Sequence, residues 1–336
     1  MVTKLSKKSL FPLISLLTLG LLPLALGDNR TIMHLLILSF IWAVVAASWD
    51  LILGYARVYS FGQIAFFGLG GYTTAMLTQH LGITPWLGIL AGGGVALAMG
   101  LLIALPCLRL RGMYVGVATF AVHLVLPVLV KAGRPIGTGG SWGLFDIPPL
   151  YVGGYTFSRL ELVPWYYLAF GLFALFLFVI YRIINSPIGL AFMALRDSEP
   201  FAKSLGIDDY KSMIIVFGIS AFTAGIMGAF YVHYMDVVGP VIFSLESFLL
   251  AFVMIMLGGM AAFPGAAIAA FIVVFLNNAL FPLMGFRLVV LGAIVVAVMI
   301  GLPRGLMEIP EAINRLIRRT RGKQISQELG KGGATR

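Results

Sequence analysis

Forty consecutive residues, Ser247 to Phe286, carry no charge at all. A helix needs about 20 mostly apolar residues to cross bilayer hydrocarbon, so this run holds two crossings. Gly258-Gly259 and Pro264-Gly265 supply the turn chemistry between them. Further charge-poor windows lie at 9–27, 31–53, 58–79, 81–105, 112–130, 162–181, 212–235 and 288–303. Together they predict an all-α polytopic membrane protein of about ten transmembrane helices. Of the 336 residues, 60% are hydrophobic and 11% charged, against roughly 25% charged in a soluble domain. A core of this size cannot hide that much apolar surface, so lipid covers part of it. Gly62, Gly68, Gly70 and Gly71 make 58–79 a poor uniform helix and predict a broken or re-entrant segment.

Lys and Arg in the short loops set orientation. With the N-terminus inside, the cytoplasmic side receives Lys4, Lys7, Lys8, Arg57, Arg109, Arg111, Arg182, Arg196, Lys203, Lys211 and the last eight basic residues. Arg30, Lys131, Arg134, Arg159 and Arg287 fall outside, a split of 18 to 5. The formal charge of +10 is therefore a topology signal, and nucleic acid is not an expected partner; the lipid bilayer is. Both termini are expected in the cytoplasm of a bacterial cell, with the protein in the inner membrane. Lys4, Lys7 and Lys8 followed by an apolar run also resemble a signal peptide. The run exceeds the usual signal-peptide core of about 7–15 residues, which favours a retained first helix. The expected organisation is an N-terminal segment and first helix at 1–30, a transmembrane body at 31–305 with a cytoplasmic loop at about 185–211, and a cytoplasmic tail at 306–336. Ten spans divide into two halves of five with opposite orientation, the geometry of inverted transporter repeats. Glycine, at 40 residues, is abundant; Gly88-Gly92 and Gly112-Gly116 have the spacing that lets membrane helices pack closely.

Four places break the rules of the lipid phase. Asp50 interrupts a span, and an intramembrane carboxylate is a functional candidate by default. The alternative is an Asp50 solvated near the cytoplasmic end or paired with Arg57. The stretch that follows, with Tyr59, Ser60, Gln63 and Tyr72, suits backbone lining a translocation pathway. Leu108-Arg109-Leu110-Arg111-Gly112 is a basic turn, either a positive-inside anchor or a contact for a cytoplasmic partner. From Asn185 to Lys211, charges of both signs alternate with Phe192, Leu195, Phe201, Leu205 and Ile207. That alternation predicts an amphipathic helix ending at Gly206, with Ser198 as a helix cap, docking a partner at the cytoplasmic face. On the other side, Thr138, Gly139, Gly140 and Trp142 form a Gly-rich loop bearing an aromatic. It is either a turn or a surface for an external partner.

The chain has no G-x-x-x-x-G-K-[ST] loop, so ATP hydrolysis by that route is excluded. His34, His80, His123 and His233 show no ligand spacing, and the single Cys107 excludes an intramolecular disulfide. H-E-x-x-H is absent too, which argues against a zinc-dependent intramembrane protease.

Six blocks, in order, resemble the branched-chain amino acid ABC transporter permease family, specifically its LivM-type subunit. They are LILGYARVYSFGQIAFFGLGGY, LRLRGMYVGVATFA, TGGSWGLFDIP, SPIGLAFMALRDSEPFAKSLGI, MLGGMAAFPGA and GLPRGL, spanning roughly Asp50 to Leu306. The resemblance implies a subunit that is not itself an enzyme. It pairs with a homologous permease and two cytoplasmic ABC ATPases, which hold the ATP and Mg, while a periplasmic solute-binding protein delivers the solute. It implies that Arg196, Asp197, Ser198, Glu199 and Gly206 lie in the loop that couples to an ATPase. Relatives of this architecture also carry urea, amides and other small solutes, and an ion-coupled carrier is the rival outside the class. Arg57 stands where the family usually has Gly, and Gln63 where it often has His.

Overall fold

In a computed structural model of the chain, residues 18–23, 27, 29–110, 112–158, 161–301, 305 and 306 are described. Most of the first window, Arg111, Arg159 and nearly all of the tail lie outside the described residues. Helix α1, Arg30–Asp50, starts at Asn29, whose side chain accepts from the Ile32 N–H. It runs straight into a π-helical turn, Leu51–Tyr55. After an extended stretch come α2, Gln63–His80, α3, Pro85–Cys107, and α4, Met113–Ala132. Helix α5, Leu162–Ile184, is followed by two short helices, α6, Pro187–Asp197, and α7, Glu199–Ser204. The longest helix, α8, covers Asp209–Met235. Three shorter apolar helices close the described chain: α9, Leu245–Gly258, α10, Gly265–Ala279, and α11, Arg287–Gly301.

Among the described residues, five helices are long and apolar enough to cross a membrane: α1 with its π turn, α3, α4, α5 and α8. The fold is thus a polytopic helical bundle. The run from 247 to 286 does divide at 259–264 as expected, but into helices of 14 and 15 residues. At 1.5 Å per residue each is about 21–23 Å long, short of the roughly 30 Å of hydrocarbon.

The segment expected to be broken is a continuous helix. Between Gln63 and His80 the chain is regularly α-helical, and the irregular backbone lies before it, from Leu51 to Gly62. The glycines serve close packing instead of unwinding. A Cβ on Gly70 would collide with the Gly225 backbone, and one on Gly68 with the Phe243 ring. Opposite them, a Cβ on Gly228 would collide with the Phe67 carbonyl, and one on Gly92 would sit 2.6 Å from the Gly70 carbonyl oxygen. Helices α2, α3 and α8 therefore meet backbone to backbone, as small residues permit in membranes. Gly88 belongs to this seam, because a Cβ there would lie 2.6 Å from Thr74 Oγ1.

Helix α1 is the most enclosed, with sixteen residues from Met33 to Asp50 buried. Helix α4 buries only Val115, Gly116, Thr119, His123 and Leu126, and leaves Tyr114, Val117, Leu124, Val128 and other apolar side chains exposed. Two small antiparallel ladders lie in the connections. Leu144–Phe145 (β1) pairs with Val237–Val238 (β4), and Tyr151–Val152 (β2) with Tyr155–Thr156 (β3).

Candidate functional site

Asp50 is buried, and its Oδ1 accepts a 2.9 Å hydrogen bond from the backbone N–H of Ala261, in the turn between α9 and α10. Two residues along in that turn, the Phe263 N–H donates to the Tyr55 hydroxyl at 3.1 Å. In an α-helix, residues five apart point about 140° away from each other. The i→i+5 bonding of a π turn closes that angle, and here Ala56 N–H bonds Leu51 carbonyl at 3.1 Å. The π turn thus lets Asp50 and Tyr55 grip one loop. Gly54 keeps the space open, since a Cβ there would strike Asp50 Oδ1.

Beyond the π turn, Arg57 adopts φ 52°, a left-handed conformation unusual outside glycine. That geometry accounts for a position where glycine is the easier occupant. Its Nη1 donates to the Arg196 carbonyl at 3.4 Å, at the end of α6. Asp50 therefore pairs with a backbone N–H, and Arg57 with a backbone carbonyl.

A cavity of about 360 Å³ opens between these pieces, walled by Arg57 and Tyr59, Leu110 and Val115, Leu195 and Arg196, and Glu199 and Asp209. Ser186 caps α6 by accepting from the Gly189 N–H, and Phe192 anchors the helix in the core. The expected amphipathic helix is present but split at Ser198, which ends α6 and begins α7. Gly206, φ 83°, follows the end of α7. Arg196 Nε meets Asp197 Oδ1 at 2.9 Å. Lys203 bridges Glu199 at 2.8 Å and Asp209 at 2.6 Å, and these two carboxylates hold its ammonium above the usual lysine range. Phe201 and Leu205 project from α7 into the open, about two-thirds exposed. Their apolar alternation was readable in the sequence; the large exposed area was not.

Ser60, Gln63 and Tyr72 are buried, whereas Tyr59 lines the cavity. Gln63 Nε2 donates to Ser48 Oγ at 2.8 Å, and Ser220 Oγ donates to Gln63 Oε1 at 2.8 Å and to the Ser48 carbonyl at 2.8 Å. These three side chains lock α1, α2 and α8 together. Ser60 offers its carbonyl to Trp49 Nε1 at 2.7 Å. Tyr72 stacks on Phe243 with centroids 5.9 Å apart.

At the other end of α4, Thr138 Oγ1 donates to the Val130 carbonyl at 2.7 Å, folding the loop back on its helix. Gly139 and Gly140 have φ 73° and 62°, and a Cβ on Gly139 would collide with the Gly143 carbonyl. Gly143, φ 82°, lies against Val238, beside the β1–β4 ladder. Trp142, at the tip, is 79% exposed. Among the described residues no three His, Cys, Asp or Glu side chains come together to hold a metal.

The sequence model of the family described as "branched-chain amino acid transport system / permease component" matches residues 31–301. The chain is 28% identical over 300 residues to the high-affinity branched-chain amino acid transport system permease protein LivM of Escherichia coli, covering 83% of this chain and 70% of that protein. Its identity to the LivM protein of Salmonella typhimurium is also 28%, over 291 residues and 80% and 68% of the two chains. A probable branched-chain amino acid transport permease, LivM, of Methanocaldococcus jannaschii is 23% identical over 266 residues, 68% of this chain and 75% of that one. No solved structure gives a significant match.

Proposed function

The chain belongs to the branched-chain amino acid transport system permease family, and from that premise we propose that it is the membrane half-channel of an ATP-driven importer for leucine-like amino acids. The observation that carries this is the extent of the match: residues 31–301 take in every long helix described, from α1 to α11. Three relatives from two bacteria and an archaeon carry the branched-chain description. A urea or amide permease and an ion-coupled carrier are accordingly not favoured.

In this reading the chain works beside a homologous permease, over two ABC ATPases that bind ATP and Mg, and under a periplasmic solute-binding protein. The body at 31–305 sits in the inner membrane with about ten spans in two inverted halves, and both termini, including the 306–336 tail, are cytoplasmic. Arg196, Asp197, Ser198, Glu199 and Gly206 belong to the ATPase socket. The exposed Phe201 and Leu205 beside them support it, since apolar side chains ringed by charge suit a protein interface. Asp50, Tyr59, Ser60, Gln63 and Tyr72 flank the solute route, with Tyr59 at its mouth and the others holding its walls in register. Thr138, Gly139 and Gly140 shape the seat of the binding protein, and Trp142 is its contact.

Reconstitution tests this. The chain, co-expressed with its partner permease and ATPases and supplied with the binding protein, should drive uptake of leucine, isoleucine or valine into ATP-loaded proteoliposomes. ATP-dependent uptake of none of the three would defeat the reading.

A further inference from the structure

His123 is fully buried, yet neither ring nitrogen has a hydrogen-bond partner. Buried polar atoms are nearly always paired, so an imidazole left with both positions open needs a reason. Its surroundings are aromatic. The ring stacks on Phe120 with centroids 5.8 Å apart and lies 5.6 Å from Phe248. Phe248 in turn meets Trp49 at 5.4 Å, Phe61 at 6.0 Å and Phe252 at 6.1 Å. Phe120 and Phe248 thus flank the histidine, and Phe248 ties it into an aromatic box with Trp49 of α1, Phe61 of the extended stretch before α2 and Phe252 of α9.

The position of this box gives it meaning. Val115, Thr119 and His123 are successive turns of one face of α4, because residues four apart lie one above another on a helix. Val115 lines the cavity beside α6 and α7. Thr119 Oγ1 accepts from the Phe61 N–H at 2.8 Å, which pins the extended stretch across the face. At 1.5 Å per residue, His123 stands about 12 Å above the cavity wall, deeper into the bundle. Phe61, bonded through its N–H to Thr119, packs on Phe248 at 6.0 Å, and Phe248 packs on the imidazole, so uncharged side chains link the Thr119 level of α4 to His123.

We infer that this aromatic box is the closed constriction of the solute route and that His123 is the specificity-determining side chain that meets a branched-chain α-amino acid as it passes. The inference rests on the amino-acid reading above. A neutral imidazole presents one donor and one acceptor. The passing amino acid presents a carboxylate that accepts and an ammonium that donates. Ring faces suit both its ammonium and its branched apolar side chain. The nitrogens are unpaired in the closed box because their partner is the solute.

The test uses the whole assembled transporter in ATP-loaded proteoliposomes at saturating binding protein. His123→Leu puts an apolar side chain into an apolar box. It should leave the thermal stability of the complex unchanged or higher and keep binding-protein-stimulated ATPase activity. Leucine uptake should fall at least about tenfold, the loss of one hydrogen bond to a charged group. His123→Gln, which retains a donor and an acceptor, should keep most of the uptake. A histidine that merely packs, or that bonds a resident water, predicts uptake and stability moving together. Wild-type uptake in His123→Leu would overturn the inference, and so would failure of both His123→Leu and His123→Met to assemble. Wild-type protein that carries none of the three amino acids would instead defeat the functional reading, and the solute named here with it.

Discussion

Asp50 holds Ala261, 211 residues away, through one carboxylate oxygen and one backbone N–H. The bond joins the point where α1 turns π-helical to the short turn where α9 gives way to α10. An intramembrane acid is usually read as a solute or ion contact. Here one of its oxygens already serves the fold.

Removing that oxygen should loosen the turn. Asp50→Ala leaves the half-buried Ala261 N–H without its carboxylate acceptor, at a cost of about 1 kcal/mol. Asp50→Asn keeps an oxygen in place and should cost less. Thermal unfolding of the purified complex orders the three proteins, and equal stability of Ala and wild type would refute the clamp.

Arg196→Glu should separate ATP hydrolysis from uptake. It places a carboxylate next to Asp197 and Glu199, at the cavity that α6 and α7 help to wall. One charge-assisted contact with the ATPase is worth roughly 1–3 kcal/mol. The variant should reach the membrane folded, with uptake down about tenfold or more for an unchanged amount of protein. Wild-type uptake would remove Arg196 from the socket.

Trp142→Ala should raise the binding-protein concentration that half-stimulates the ATPase, without altering stability, since the ring touches little within this chain. Gly143→Val should behave in the opposite way. A side chain there is strained at φ 82° and meets the Val238 carbonyl, so the variant should lose folded protein. Stimulation curves for Trp142→Ala that overlay wild type would make the loop a turn only.

Cysteines placed along the stretch after the π turn should label unequally. Tyr59→Cys, on the cavity wall, should react with water-soluble thiol reagents in the resting state. Ser60→Cys and Gln63→Cys should be shielded there and gain reactivity only while ATP is being turned over. Gln63→Leu also removes the bonds between Gln63 and the Ser48 and Ser220 hydroxyls, which keep only backbone carbonyl partners, so it should destabilise by about 0.5–1.5 kcal/mol for each bond lost. Equal labelling at 59, 60 and 63 at rest would contradict the packing.

Long charge-free windows made the five spanning helices readable, because lipid tolerates few charges. The 259–264 turn was readable from Gly258-Gly259 and Pro264-Gly265. The break expected within 58–79 lies at its start, before Gln63, and not among Gly68, Gly70 and Gly71, because glycine has two uses in membranes, unwinding a helix and letting two helices touch. Only the partners Gly225 and Gly228, more than 150 residues on, tell which use Gly70 and Gly71 serve. Arg196 and Glu199 were legible through their two-signed loop. The left-handed backbone of Arg57 was not, since arginine carries no local signal for it. Nor was the isolation of His123, because a lone histidine on an apolar helix looks the same whether paired or unpaired.

Helix α8 begins at Asp209, held by Lys203 of α7, and ends at Met235, next to the strand that pairs with Leu144 and Phe145. Its 27 residues make a rod about 40 Å long, seated against α2 and α3 at glycines where backbone meets backbone. It is one element with two ends, so the loop that carries Trp142 and the helix that carries Glu199 rest on opposite ends of a single support.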